Sequence, residues 1–238
     1  EVDGVRVAII GVVAPNITNW DKDKLAGYEA TNPAKEVQKI LDEIKSKDEA
    51  DVYVVSAHMG ENTETNNGDS AAEIANLNPE VSLIIAGHSH VRIAQEYING
   101  VLVTQPKNAG EDLSKAELKV KKNADGKYEV VEKTSSLTTF TKTSETDAEL
   151  DEALAPYDEM AKSDGKKKIG TLIGSDLAEP NEVKGISQSF VSDQGVTDLI
   201  NEVQLYYSDK QLASIGIDTS KIHHVTGSAM LSATANLY

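Results

Sequence analysis

The sequence predicts a mixed α/β (α+β) fold: a partial mixed-sheet sandwich with helices on the outside, followed by the start of a second α/β unit. Three observations support this prediction. Apolar strand-like runs alternate with helical patterns as far as residue 87. Hairpin signals then replace the alternation up to residue 137, which indicates antiparallel strands. A helical stretch and a polar linker follow, and a further strand and helix come after them.

The first part of the chain contains three predicted buried strands separated by two helices. Continuous apolar, β-branched runs are typical of strands that are covered on both faces. They lie at residues 5–14, 51–57 and 81–87. Apolar residues at helical spacing predict helices over 32–47, with Pro33 near the start, and over 69–77.

Two hairpins and a second unit are predicted in the rest of the chain. Asn99-Gly100 between β-rich runs predicts a hairpin over 92–105, and the turn "NADG" predicts another over 114–137. A connecting helix over 146–163 contains Pro156, which we expect to kink or split it. Beyond the linker at 163–168, we predict a strand at 168–174 and a helix at 194–210 with an apolar side.

Composition narrows the function classes. The chain has 238 residues, a formal net charge of −16 and no cysteine. Its charge argues against a nucleic-acid polymer as partner, because that binding requires clustered Lys and Arg. The absence of cysteine excludes disulfides and thiolate metal sites. No apolar stretch approaches the roughly 20 residues of a membrane span, so we expect none in this chain.

Three of the five histidines follow predicted buried strands. His58 comes after "VVSA", and His88 and His90 come after Gly87 in "IIAGHSH". Functional loops of α/β sheets lie at the carboxyl ends of strands, and imidazole is a good ligand for Zn, Mn, Fe or Co. Gly87 would permit a turn or the close approach of a ligand. The sequence therefore predicts a metal site at His58, His88 and His90.

Two arrangements of such a site remain open from the residues alone. Three histidines could hold one zinc ion with an open position for water. They could equally belong to a binuclear site whose other ligands lie elsewhere. We interpret His223 and His224 more simply, as polar residues on the surface, because neither follows a strand that ends in glycine.

Two neighbouring stretches receive structural interpretations. The polar run "GENTETNNGDS" (60–70) is explained by turn chemistry, although it follows His58 directly and could border a pocket. Trp20 lies in an irregular segment, where we expect it to fill the core rather than to act as a lid. The sequence contains no "GxSxG" elbow, no P-loop pattern and no cysteine nucleophile.

These residues resemble a known family. "VVSAHMG" followed by "IIAGHSHV" resembles the later half of a calcineurin-like metallophosphoesterase, and more closely the 5′-nucleotidase and 2′,3′-cyclic-nucleotide 2′-phosphodiesterase group. Three further stretches are similar to segments of that group. They lie at residues 11–41, 101–118 ("VLVTQPKNAGEDLSKAEL") and 192–207 ("SDQGVTDLINEVQLYY"). The resemblance covers nearly the whole chain.

The resemblance implies a function and a set of ligands. It implies hydrolysis of nucleotide phosphate esters through a binuclear site, with two divalent ions (Mn, Zn or similar) in the complete protein. His58 and His88 would ligate one ion and His90 the other. The substrate would be a nucleotide, and the location would be extracellular or associated with the cell wall.

One departure from the family is clear. The D-x-H and G-N-H-[ED] motifs have no match in this sequence. In the family the early motifs, to which these two belong together with a G-D motif, supply the remaining ligands, the bridging aspartate and the catalytic histidine. No catalytic residue is therefore assigned here, and we expect these motifs upstream of Glu1. We therefore expect an internal fragment that is inactive in isolation. The alternative is a non-catalytic binding or scaffold module that keeps the fold without the catalytic motifs.

The resemblance also implies a division into three parts. Residues 1–143 would form the C-terminal part of a metallophosphoesterase domain, and 144–167 a connecting helix with its linker. Residues 168–238 would then be an incomplete 5′-nucleotidase C-terminal domain. About 70 residues is short for an independent α/β core, which is why we expect this last part to be incomplete.

Overall fold

The chain divides into two compact units, Glu1–Asp147 and Ala148–Tyr238, which are described separately below. The computed structural model describes residues 1–64, 68–141, 145–171, 173–174, 177–223 and 225–227. The predicted boundary at 143/144 falls outside these residues, four positions before the observed division. The identities of the predicted domains stay predictions.

A mixed five-stranded sheet forms the centre of the first unit. Its strands are β1 (Val7–Val13), β2 (Val52–His58), β3 (Leu83–Ile85), β4 (Ile93–Ile98) and β5 (Val101–Gln105). The order across the sheet is β1-β2-β3-β5-β4, with β4 antiparallel to β5 and the other pairs parallel. Asn99 and Gly100 both have positive φ, at 48° and 79°, as the predicted hairpin turn requires.

Two helices cover one face of this sheet, and each begins at a capping side chain. The helices of the unit are α1 (Ile17–Trp20), α2 (Pro33–Ser46) and α3 (Ala71–Leu77). Asn32 Oδ1 accepts from the amide of Lys35 at the start of α2, and Ser70 Oγ accepts from that of Glu73 at the start of α3. The main core lies beneath α2 and α3. Its larger apolar members that are fully buried are Val37, Leu41, Val55, Met59, Ile74, Val81, Ile84, Val101 and Val103.

A two-stranded hairpin packs against the opposite face. Its strands are β6 (Asp112–Lys122) and β7 (Tyr128–Thr139), close to the predicted hairpin over 114–137. Apolar side chains of the hairpin contact a second cluster on the sheet. That cluster comprises Val52, Val54, Leu83 and Leu102, against Ala116, Leu118, Val120 and Val130. The sheet is therefore covered on both faces, as the continuous apolar runs predicted.

The second unit contains helices and irregular segments. Helix α4 (Ala148–Gly165) runs through Pro156 without interruption, so the predicted split does not occur. No residue of α4 is buried, which lets water satisfy the carbonyl group that Pro156 leaves without a partner. Helix α5 (Gly195–Ser214) confirms the helix predicted at 194–210. Short 3₁₀ turns lie at Gln188–Phe190 and Thr219–Lys221.

One expectation for the second unit is wrong, and the predicted apolar side of its long helix is largely exposed. No strand forms among the described residues of 168–174, where Ile169 and Ile173 are 102% and 92% exposed. A strand needs a partner, and every strand pair among the described residues lies in the first unit. The apolar side of α5 is also largely uncovered, because only Val196 is buried while Tyr207 is 64% exposed. No helix among the described residues is both long and apolar enough to cross a membrane.

Candidate metal centre

Parallel pairing brings the ends of three strands to one edge of the sheet. Val13, near the end of β1, is in register with His58 at the end of β2, and Ser56 is in register with Ile85 at the end of β3. Backbone hydrogen bonds continue beyond the strands: Ala14 N donates to His58 O (3.2 Å) and Gly87 N donates to Met59 O (3.0 Å). This edge therefore holds the segment after β1, the end of β2 and the loop after β3.

The structure brings two of the three predicted ligands together. The ring centroids of His58 and His88 are 5.4 Å apart, with an angle of 61° between the ring planes. His58 is exposed, and the His88 side chain retains 24% exposure. His90 is exposed and, among the described residues, makes no hydrogen bond or ring contact with His58 or His88.

Two further side chains contact His88. The Trp20 ring stacks on the His88 ring, with centroids 4.7 Å apart and an interplanar angle of 27°. Glu64 places its carboxylate oxygens 3.3 Å from His88 Nε2. The expectation that Trp20 fills the core is wrong, since it is 49% exposed and lies over the site. Glu64 belongs to the polar run that follows His58, so this part of the run borders the site. Its position shortly after His58 was the one feature of the sequence that could have indicated a role for Glu64.

The loop that carries the histidines has an unusual backbone. In the histidine loop (residues 87–91), His88 and His90 have φ values of +64° and +56°, in the left-handed region. Histidine enters this region more often than most residues, yet two such positions flanking one residue are strained. Ser89, between them, donates its amide to Gly87 O at 2.7 Å.

The tightest packing against the histidine loop is at Gly60 rather than at Gly87. A Cβ at Gly87 would lie 3.6 Å from His58 Nδ1, which is ordinary contact. A Cβ at Gly60 would lie 2.9 Å from Ser89 Cβ and 3.1 Å from Ser89 Oγ. Only a glycine at position 60 therefore leaves room for the histidine loop at its observed position.

An ion pair anchors the segment that follows the loop. Arg92 Nε donates to Asp112 Oδ2 at 2.5 Å, and Thr139 Oγ1 donates to Asp112 Oδ1 at 2.7 Å. The Asp112 side chain is fully buried. The hydrogen bond from Arg92, followed by that from Thr139, lowers the pKa of Asp112 to about 2. Arg92 thus connects the end of the histidine loop to the β6–β7 hairpin.

The donor set fits one side of a metal centre. The two imidazoles, of His58 and His88, are suitable ligands for a divalent transition metal. The carboxylate of Glu64, beside His88, can support that ligand by a hydrogen bond. Within the described ranges, however, no three His, Cys, Asp or Glu side chains are arranged to hold one ion. His58 and His88 therefore provide part of a ligand set, and the described residues do not complete it.

Comparison with known proteins shows which proteins and which fold the chain resembles. The family model of the bacterial capsule synthesis protein PGA_cap matches residues 1–104, which include all three candidate ligands. The trifunctional nucleotide phosphoesterase protein YfkN of Bacillus subtilis is 27% identical over 150 residues. A solved structure of YfkN, described as a calcineurin-like phosphoesterase, superposes on 68% of this chain with a TM-score of 0.61 and 24% identity. The chain is therefore similar in fold to a calcineurin-like phosphoesterase.

Two further similar proteins have names that refer to nucleotide hydrolysis. A 2′,3′-cyclic-nucleotide 2′-phosphodiesterase/3′-nucleotidase of Salmonella typhimurium is 29% identical over 144 residues. The structure of a putative 5′-nucleotidase from Staphylococcus aureus superposes on this chain with a TM-score of 0.62 and 21% identity. The match covers 88% of this chain and 40% of the Staphylococcus aureus chain. The predicted mixed α/β fold and the predicted relationship to phosphoesterases and 5′-nucleotidases are confirmed.

The chain corresponds to a small part of the curated relatives. The matched segments make up 56% and 54% of this chain, but only 10% of YfkN and 22% of the Salmonella enzyme. In the solved YfkN structure, the matched part is 54% of the chain. The activities of those whole proteins therefore do not transfer to this chain as findings.

Proposed function

We propose that this chain forms part of a metal-dependent nucleotide phosphohydrolase of the 5′-nucleotidase and 2′,3′-cyclic-nucleotide 2′-phosphodiesterase type. The observation that supports it most directly is the contact of His58 with His88 at the edge where parallel strands end. An imidazole pair at such an edge suits a divalent metal ion. Relatives named as nucleotide phosphoesterases match more than half of the chain.

In this proposal the histidines hold the metal ions of a binuclear site. His58 and His88 bind one divalent ion, Mn²⁺, Zn²⁺ or a similar cation, and His90 contributes to the second. When bound, such ions lower the pKa of water and polarise phosphate oxygens. The substrate is a nucleotide carrying a phosphate ester, as the names of the relatives suggest.

Two residues of the chain support the His88 ligand. Glu64 accepts a hydrogen bond from His88 Nε2, which fixes the ring orientation and leaves Nδ1 available as a ligand atom. Trp20 covers one face of the His88 ring and keeps water from that side. Neither residue takes part in bond making or breaking.

We propose further that the chain in isolation hydrolyses phosphate esters slowly or not at all. The sequence lacks the D-x-H and G-N-H-[ED] motifs, and its described residues contain no three-ligand group. The remaining ligands would be supplied by polypeptide other than these 238 residues. An extracellular or cell-wall location is also proposed, and it rests on the resemblance alone.

Metal binding can be tested through the single tryptophan of the chain. Trp20 stacks on His88, so a paramagnetic ion such as Co²⁺ bound there should quench its fluorescence. We expect saturable quenching by Co²⁺ that His88→Ala abolishes. His223→Ala is the matched control, because His223 is an exposed histidine of the second unit and should leave the titration unchanged. A parent chain without saturable quenching would contradict the metal role.

Catalysis requires a separate test. The isolated chain should show no Mn²⁺-dependent hydrolysis of bis-p-nitrophenyl phosphate, whereas the natural gene product that carries this sequence should hydrolyse a 2′,3′-cyclic nucleotide. His88→Ala should abolish the latter activity. Metal-dependent turnover by the isolated chain, lost in His88→Ala, would show that it completes a site unaided. If the natural product binds Co²⁺ but hydrolyses nothing, the binding-module alternative replaces the hydrolase.

A further inference from the structure

We infer that Gln105 is a positioning residue: its side-chain amide holds the histidine loop in the conformation that presents His88 to His58. The inference deepens the proposed function, since a loop held for ligand presentation matters only if His88 is a ligand. Gln105 itself is not a metal ligand in this account. It acts through Ser89, which lies between the two histidines of the loop, and through Val91, which follows His90.

Gln105 is the last residue of β5 and its side chain is fully buried. Gln105 Nε2 donates to Val91 O at 2.7 Å and to Ser89 Oγ at 2.9 Å. Ser89 Oγ also lies 3.2 Å from Gln105 Oε1, within hydrogen-bond distance. Both amide hydrogens are thus directed at the loop, which satisfies a buried polar group that would otherwise be costly.

These contacts permit only one orientation of the amide. A reversed amide would place Oε1 against the carbonyl oxygen of Val91, so two acceptors would face each other without a hydrogen atom between them. The fixed amide in turn fixes the distance between β5 and Val91. Because Ile93 pairs with Gln105 in the sheet, the loop has little freedom to move away from the strand end.

Gly60 limits the position of the same residue that Gln105 contacts. Ser89 Oγ accepts a hydrogen bond from the Gln105 amide, and Ser89 lies so close to Gly60 that a Cβ at position 60 would not fit. The positive φ values of His88 and His90 are strained, and such backbone persists only where its surroundings hold it. Gln105 and Gly60 provide that restraint, and the resulting turn directs the His88 ring toward His58 and Trp20.

The neighbouring Thr104 offers a control for a merely structural effect. Thr104 is also fully buried, and its Oγ1 donates to Ile93 O at 3.1 Å and lies 2.7 Å from Ser114 Oγ. Its side chain is therefore bonded to β4 and β6 rather than to the histidine loop. Thr104→Val removes buried hydrogen bonds one residue away from Gln105 and leaves the loop contacts in place.

The experiment compares Gln105→Met with Thr104→Val in the full chain by two measurements. The first is hydrogen exchange of the loop amides without metal, and the second is Co²⁺ titration of Trp20 fluorescence. We expect Gln105→Met to accelerate exchange in residues 87–91 and to raise the Co²⁺ dissociation constant about tenfold or more, as loss of a ligand-orienting residue typically does. Thr104→Val should lower stability without either effect.

Ser89→Ala provides a second variant should Gln105→Met fail to fold. Ser89 is exposed, and its loss leaves the bond to Val91 intact, so we expect a smaller change in the same direction. Equal effects of Gln105→Met and Thr104→Val, or unchanged exchange in both loop variants, would overturn the inference. If the parent chain shows no quenching by Co²⁺, the proposed metal role fails, while the exchange measurement still decides whether Gln105 positions the loop.

Discussion

Substitution of Gly60 by alanine gives the sharpest test of how the histidine loop is held. An ideal Cβ at this position lies 2.9 Å from Ser89 Cβ, roughly 0.6 Å short of the ~3.5 Å at which carbon atoms attract one another. Ser89 Cβ is attached directly to the backbone, so the overlap cannot be relieved by rotation of a side chain. The loop or the segment at Gly60 must therefore move.

Neither side of this contact moves without loss of hydrogen bonds. Gly60 is buried and its carbonyl accepts from Ala71 N at 2.9 Å, at the start of α3. Ser89 is held by a hydrogen bond from the Gln105 side chain. Gly60 does not have a positive φ, so alanine brings no backbone strain and the overlap is the main cost. Overpacking of this kind destabilises by about 1–3 kcal/mol.

The assay is urea unfolding followed by Trp20 fluorescence, which reports on the first unit because Trp20 is the only tryptophan. Gly60→Ala should lower the free energy of unfolding by the amount given above. Gly11→Ala is the matched control: a Cβ there meets nothing within 4 Å and φ is not positive. Because glycine weakens strands by roughly 0.5–1 kcal/mol relative to alanine, the control should be neutral or stabilising. Equal unfolding midpoints for Gly60→Ala and the parent would refute the packing argument.

Three further predictions concern the rest of the first unit. Asp112, whose pKa is lowered from 3.8 to about 2, stabilises the fold fully above about pH 4, and that stabilisation is lost as the pH falls toward 2. In Arg92→Met the urea midpoint should therefore fall less steeply between about pH 4 and pH 2 than in the parent chain. Equal slopes in the two proteins would contradict this prediction. Ser70→Ala removes the cap of α3 and should cost about 1 kcal/mol in urea unfolding, with faster hydrogen exchange in the first turn of α3. Leu41→Ala, at a fully buried position, should cost about 2–5 kcal/mol. Replacement of its neighbour Ile40, which is 37% exposed, by alanine should lower the free energy of unfolding by less. Similar losses of stability at both positions would contradict the assigned core.

Strong local signals in the sequence were sufficient for most of the first unit. The apolar runs at residues 5–14, 51–57 and 81–87 predicted buried strands, and Asn99-Gly100 predicted the hairpin, because burial on two faces and a left-handed turn each demand particular residue types. The same reasoning placed His58, His88 and His90 at strand ends. It failed at residues 168–174, where the described residues of an apolar run have no partner strand and form no strand.

The contacts within the site were decided by tertiary structure alone. Trp20 and Glu64 meet His88 across 68 and 24 positions of sequence, and no local pattern encodes such a meeting. Gln105 resembles any strand-ending polar residue until the pairing of β3 with β5 brings it beside the histidine loop. Residue types and their spacing therefore determined the strands and the candidate ligands. The order of the strands determined which side chains hold those ligands, since that order depends on long-range packing rather than on local sequence.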